Sequence, residues 1–203
     1  SKILLEHANL TINPSEKVGF VGANGAGKSS LFKLIQNQLE PDQGQVDLAN
    51  NLTIGEIAQE IPHGQQAAID YVLAGDDELA TIQQQLQQAE LNEDGHRIAQ
   101  LHTRLAEVDG YSAPSRAAKI LVGLGFQQHE LQLPLDDFSG GWRMRVALAA
   151  VLFVEPNLLL LDEPTNYLDL EGTLWLMDYL ARYPHMALVI SHDRDLLNQS
   201  VDH

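Results

Sequence analysis

Two hydrophobic patterns divide the chain. Short apolar runs occur at Lys17 to Val21, at Leu158 to Leu161 and in "MALVIS" from Met186 to Ser191. The Leu158 to Leu161 run is too uniformly apolar for a half-exposed strand and predicts a central parallel strand buried on both faces. Elsewhere apolar residues recur at helical spacing. Leu31, Leu34 and Ile35 follow the first run and predict a helix after it. Leu79, Ile82, Leu86 and Ala89 sit at a/d spacing, "NEDG" breaks the pattern, and Ile98, Leu101, Leu105 and Val108 resume it. This predicts an antiparallel helical hairpin from Asp76 to Val108 with Gly95 at its turn. The hairpin is rich in glutamine, but its periodicity opposes disorder. Downstream, "APSRAAKILVGLGF" predicts a further helix, with Pro114 near its first turn, that is expected to carry the Ser139 loop.

With 203 residues, 44% hydrophobic and 20% charged, the chain has the material for one globular domain with a sizeable core and a small inserted piece. The longest apolar run, Val146 to Val154, falls far short of the roughly 20 residues that span a bilayer. The opening "SKILLEHANL" lacks the basic start and long apolar core of a signal peptide. The absence of cysteine removes disulfides, thiolate nucleophiles and zinc–cysteine sites, and suits a reducing cytoplasm. A formal net charge of -16 argues against a free-standing, non-specific nucleic-acid binder, while leaving room for a local basic patch.

The chemistry gathers after the apolar runs. Gly22, Ala23, Asn24, Gly25, Ala26, Gly27, Lys28 and Ser29 match G-x-x-x-x-G-K-[ST] between a predicted strand and a predicted helix. The glycines let backbone N–H groups curl round a phosphate chain, Lys28 supplies charge for the outer phosphates, and the Ser29 hydroxyl can ligate Mg²⁺. Ser30 completes this candidate nucleotide-binding set without a separate role. Asp162 and Glu163 end the Leu158 run, at the strand terminus where open α/β sheets bind ligands. Asp162 is the candidate Mg²⁺ ligand, and Glu163 is placed to orient an attacking water and take its proton. The plainer reading is a strand stop with two solvated acids. His192 likewise follows a predicted strand. In "FSGGWRMR", Ser139, Gly140 and Gly141 precede what looks like the start of an amphipathic helix. Bare N–H groups at a helix start attract anions, although an ordinary loop-to-helix boundary has the same appearance.

Taken in order, "GANGAGKS", Gln59 in "IAQE", "SGGW", "LLLLDEPTNYLD" and "ISHD" resemble an ATP-binding-cassette ATPase over nearly the whole chain. "SGGWRMRVALA" and "DEPTNYLDLEG" followed by "ISHDRDLLN" resemble the ABC-F group, translation-associated ATPases with two cassettes in one polypeptide, and most of all the N-terminal cassette of its YheS-like branch. The resemblance implies an α/β P-loop fold with a mixed central sheet, a helical signature subdomain at 109–155 and an inserted hairpin, or arm, at 76–108. It implies ATP and Mg²⁺ as cofactors. A second cassette would be the partner, with Ser139, Gly140 and Gly141 gripping the γ-phosphate held by the opposite P-loop. Gln59 would sense Mg²⁺ and the attacking water, Asp169 would lie at the cassette interface, and His192 would contact the γ-phosphate.

The sequence departs from the family pattern in three places. Trp142 replaces the glutamine usual in transporters, Tyr167 stands where ABC-F chains generally have histidine, and no aromatic precedes Thr11 to stack on adenine. The family fold continues past the position of His203, so the chain is expected to be a fragment. In ABC-F proteins an arm inserted here touches the ribosome, but acids outnumber Arg97 and Arg104 in this one. Contact with protein, or simple packing, therefore stands beside contact with RNA. The leading expectation is a ribosome-associated ATPase cassette, and the alternative is the ATP-binding subunit of a membrane transporter.

Overall fold

Four strands form one sheet in the computed structural model, which describes residues 9–21, 28–57 and 60–202. They are β1 (Lys17–Phe20), β2 (Ile54–Glu56), β3 (Leu158–Asp162) and β4 (Met186–Ile190), in the order β1-β4-β3-β2. Every pairing among them is parallel. The antiparallel component of a mixed sheet is not found among the described residues. Helix α1 (Lys28–Ile35) follows β1, α7 (Leu170–Ala181) connects β3 to β4, and α8 (Arg194–Ser200) follows β4.

The uniform apolar runs are central because both sheet faces are covered there. Leu158 to Leu161 are at most 3% exposed, and Leu188, Val189 and Ile190 are fully buried. Leu158, Leu160, Leu188 and Ile190 cluster with Val18 of β1 and with Phe32 and Ile35 of α1. Leu159, Leu161 and Val189 alternate to the other face and are buried too. Burying each large side chain contributes about 1.5–3 kcal/mol, so this strand pair anchors its unit. The outer edge of β1 is occupied: Asp202 N–H donates to Lys17 O at 2.7 Å, and Lys17 N–H donates to Asp202 Oδ2 at 2.8 Å.

The sheet belongs to a compact unit made of Ser1–Ile57 and Glu155–His203, while Ala58–Val154 forms a second, helical unit. Within the second, α2 (Ala68–Leu73), α5 (Ala113–Gly123) and α6 (Gly140–Val154) pack on one another. This helical core therefore takes in α2, which lies before the 109–155 segment. Helices α3 (Asp77–Leu91) and α4 (Gly95–Glu107) form a hairpin, with Asp76 and Asp94 capping their first turns through Leu79 N–H and Arg97 N–H. Arg104 pairs with Glu78, and Arg97 donates to Gln85 at 2.7 Å, so the two run antiparallel. Leu79, Ile82, Ala89, Leu101 and Leu105 are buried, with Leu86, Ile98 and Val108 half-buried.

Three local expectations are corrected. The hairpin turn is not made by Gly95, which is the first residue of α4; the left-handed position falls on Glu93 (φ 53°), and Asp94 then caps the helix. Helix α5 does not carry the Ser139 loop. It ends where Gly125 (φ 102°) turns the chain, with Phe126 N–H bonded to Leu121 O and Gly125 N–H to Val122 O, so Ser139 leads into α6 instead. Helix α6 is also not amphipathic beyond its first turns, since Arg145 to Ala149 and Val151 to Phe153 are all buried.

Candidate functional site

Parallel pairing brings the carboxyl ends of three strands into one row. Phe20 of β1 and Asp162 of β3 both stand in register with Ile190 of β4. The chain leaves each strand at this edge into a sequence-predicted site segment. Past β1 come Gly22, Ala23, Asn24, Gly25, Ala26 and Gly27, which lie outside the described residues, as does Gln59. Lys28 opens α1 with its side chain half-buried and Ser30 follows in the first turn; the Ser29 side chain is also outside the description.

Past β3, Asp162 is exposed at the strand end, and Glu163 takes a left-handed conformation (φ 48°, ψ 52°) immediately before Pro164. That conformation is unfavourable for a residue with a side chain, and here it is fixed by Glu163 N–H donating to Ile190 O at 2.8 Å. The carboxylate is thereby turned towards the end of β4. His192 N–H donates to Glu163 Oε2 at 3.3 Å, and His192 Nε2 lies 3.2 Å from Oε1. The second approach has ion-pair distance without hydrogen-bond alignment, so Oε1 is buried and has no hydrogen-bond partner among the described residues. His192 is held in turn by its neighbours. Ser191 is buried and accepts from Asp193 N–H at 3.0 Å, while Asp193 Oδ1 accepts from Leu196 N–H at 3.0 Å.

A buried carboxylate oxygen without a donor is costly unless something else bonds it. Such an acceptor suits a water that must be oriented and deprotonated. No three His, Cys, Asp or Glu side chains converge among the described residues. Mg²⁺ beside a nucleotide needs no such cluster, because it keeps several waters and takes phosphate oxygens with one or two protein ligands. The donor set of Asp162 with Ser29 and Gln59 fits that demand in kind.

Asp169 caps α7, its Oδ1 accepting from Gly172 N–H at 2.9 Å. A Cβ at Gly172 would lie 3.3 Å from that same oxygen, a tight contact that would require the cap to give by a few tenths of an ångström. In the helical unit, Ser139 is exposed just before α6, and Gly140 and Gly141 form the helix's first turn. Neither glycine has positive φ. Nothing among the described residues comes within 4 Å of a Cβ built on Gly141, and only Ile61 Cδ1, at 3.9 Å, approaches one built on Gly140.

Sequence reasoning missed the supports of this turn. Trp142 packs edge-on against Phe126 (4.8 Å between centroids) and lies 4.2 Å from the Arg145 guanidinium carbon. Arg145 is 8% exposed and donates to Leu124 O at 2.9 Å. The tryptophan that departs from the transporter pattern is thus a half-buried packing residue, and the available signal is an arginine at the start of a long apolar run. Tyr167 is exposed, and nothing in the structure explains its replacement of histidine.

Among the described residues no helix is long and apolar enough to cross a membrane. The sequence profile of the family described as "ABC transporter" matches residues 5–166. The chain is 46% identical over 201 residues to the probable ATP-binding protein YheS of Escherichia coli K12, covering 99% of this chain and 32% of that protein. It is 48% identical over 198 residues to the YheS protein of Haemophilus influenzae, covering 98% and 31%. With an ABC transporter F family member 4 of Arabidopsis thaliana it shares 37% over 212 residues, covering 97% and 28%. The chain thus spans about a third of the length of the YheS proteins it matches.

Solved structures agree on the fold. An archaeal ribosome recycling factor, in complex with the archaeal ribosomal stalk protein, superposes with a TM-score of 0.62 at 24% identity, over 94% of this chain and 31% of that one. A dimeric ATP-binding cassette in a post-hydrolysis state with ADP and Pi gives 0.62 at 20% identity, over 97% and 83%. The profile match and the sequence relatives show that the chain belongs to the ABC family of ATP-binding cassettes, on its YheS-like F branch.

Proposed function

We propose that the chain is one half of a two-cassette ATPase that hydrolyses ATP with Mg²⁺ and acts on the ribosome in the cytoplasm. The observation that carries the hydrolytic reading is Glu163: a buried carboxylate oxygen without a hydrogen bond among the described residues, on a strained backbone, with its other oxygen accepting from the His192 backbone. Bound Mg-ATP supplies the phosphoanhydride and the counter-charge. Lys28 and the Gly22 to Ser30 segment bind the phosphates, and Ser29, Gln59 and Asp162 hold the metal. Glu163 accepts a proton from water, and His192 fixes the direction of that carboxylate and reaches the γ-phosphate.

Pairing is supported by the Ser139 turn. Two glycines in a helix's first turn weaken it by up to about 1 kcal/mol each, and their surroundings among the described residues give no internal reason for them. Open space beside an exposed serine and helix N–H groups suits a phosphate brought by a second cassette. Asp169 would meet that cassette at the start of α7. The whole protein, about three times the length of this chain, would supply both halves.

The ribosomal part rests on the F-branch relationship and on a fold likeness to a ribosome recycling factor. It is tested by cosedimenting the full-length protein with ribosomes in ATP, as native chain and as Glu163→Gln. ATP-dependent retention, increased by the substitution, is expected. Retention that ignores both ATP and the substitution overturns it, and copurification with a membrane permease would support the transporter reading instead.

A further inference from the structure

Within the helical unit, two segments far apart in sequence run side by side just before Ser139. Ala68 N–H donates to Leu133 O (3.1 Å), Ile69 N–H to Leu131 O (3.0 Å), Leu135 N–H to Gln66 O (3.0 Å) and Asp136 N–H to Gly64 O (3.1 Å). Ala67 and Pro134 form an antiparallel bridge between them. The Asp136 side chain closes the end of this ladder. Its Oδ1 accepts from Gly64 N–H at 2.8 Å, and its Oδ2 accepts from Gln65 Nε2 at 3.1 Å. Arg143 Nη1 stands 3.9 Å from Oδ1. Gly64 both donates to and accepts from Asp136 at φ 114°, a conformation that side-chain-bearing residues rarely adopt.

Three pieces of chain therefore meet at one carboxylate: the segment that leaves Gln59, the approach to Ser139, and the first turns of α6. The third piece includes Ser139 directly, since Arg143 N–H donates to Ser139 O at 3.0 Å. Bonds to a charged acceptor are about twice as strong as neutral ones. The nucleotide chemistry makes no use of this group.

We propose that Asp136 is a positioning residue for the Ser139–Gly141 turn, fixing it relative to the segment that follows Gln59. The inference rests on the reading that this turn serves a nucleotide held by the opposite cassette. A turn set adrift by even 1 Å from a developing charge can lose a large factor in rate without changing how ATP first binds.

The test uses the full-length two-cassette protein with ATP, comparing Asp136→Ala, Asp136→Asn, Ser139→Ala and the double variant Asp136→Ala/Ser139→Ala, each confirmed folded at the assay temperature by circular dichroism. Asp136→Ala is expected to lower kcat about ten-fold or more, with ATP affinity unchanged in an equilibrium titration. Asp136→Asn is expected to recover most of that loss, because its oxygen still accepts from Gly64 N–H and its amide can donate to a turned Gln65. The double variant should be no slower than Ser139→Ala alone, since Asp136 acts through the turn. Gln65→Ala, which removes only the bond to Oδ2, should give a smaller loss in the same direction and serves if Asp136→Ala melts early. A Ser139→Ala defect alongside normal kcat in Asp136→Ala and Gln65→Ala overturns this inference alone, and so does a double-variant loss equal to the product of the single losses. Full turnover in Ser139→Ala overturns the reading of the turn and this inference with it.

Discussion

His192 meets Glu163 at both carboxylate oxygens: its backbone N–H donates to Oε2 at 3.3 Å, and its ring Nε2 stands 3.2 Å from Oε1 without a hydrogen bond. The two residues follow different strands, β3 and β4, and Glu163 returns the connection by donating its own N–H to Ile190 O. A base is only as effective as its aim, and this aim is set from β4. In the full-length protein, Glu163→Gln keeps the shape and the bond from His192 N–H but loses basicity. ATP should stay bound while kcat falls by about 10² or more. Steady-state turnover beside nucleotide retention measures both, and unchanged turnover would remove Glu163 from the role of base.

Lys28→Ala should act on binding rather than on the fold. Lys28 is the cation within the phosphate-binding motif, at the start of α1. Calorimetry on the full-length protein should give Mg-ATP binding at least several-fold weaker, with an unchanged circular dichroism spectrum. Equal affinities would argue against phosphates at this helix start.

The arm can be loosened without touching any nucleotide residue. A Cβ on Gly110 would fall 2.3 Å from Leu105 Cδ1 and 3.0 Å from Leu79 Cδ1, both inside the hairpin's buried seam. Gly110→Ala should destabilise by about 1–3 kcal/mol through overpacking. Leu105→Asp with Leu86→Asp should disrupt the hairpin outright. Basal ATP turnover should persist in both, and any stimulation by ribosomes should drop in the double aspartate variant. Stimulation equal to native would make the arm a spacer.

Acid should weaken the Gly64–Asp136 junction in a predictable direction. The Gly64 N–H bond, foremost, with Gln65, Arg143 and His63 assisting, holds the Asp136 carboxyl below its ordinary value, against a smaller opposing effect of burial. A depressed folded-state value stabilises fully above the unfolded carboxyl range near 3.9 and is lost as pH falls through the folded value. Native protein should therefore melt higher than Asp136→Asn near neutrality, with the gap closing below about pH 4. A gap that persists undiminished at low pH would place the stabilisation elsewhere.

The parts of this molecule that were legible beforehand are those in which neighbouring residues act together. The Leu158 run declares a doubly buried strand because every position is apolar, and the Leu79 and Leu101 series declare helices by spacing. The placement of Asp162, Glu163 and His192 at one end of the sheet is legible because each lies at or just past the end of an apolar run. The Gly64–Asp136 junction is not, since it joins positions 72 apart and neither end has a pattern of its own. The pattern places Arg145 in an amphipathic start, whereas its burial depends on Trp142 and Leu124, a relationship that no periodicity encodes. Residue type alone favours Gly95 for the turn, whereas Asp94 caps the helix start and leaves Gly95 inside α4.

The open space at Gly140 and Gly141 separates what heat would select from what use would select. Alanine there meets no steric obstacle among the described residues and restores helix propensity, so variants chosen only for surviving heat should drift towards alanine and become sturdier. Variants chosen for turnover in the paired protein should keep both glycines. The two lineages would diverge at this turn while agreeing along β3, where the same leucines answer to both pressures.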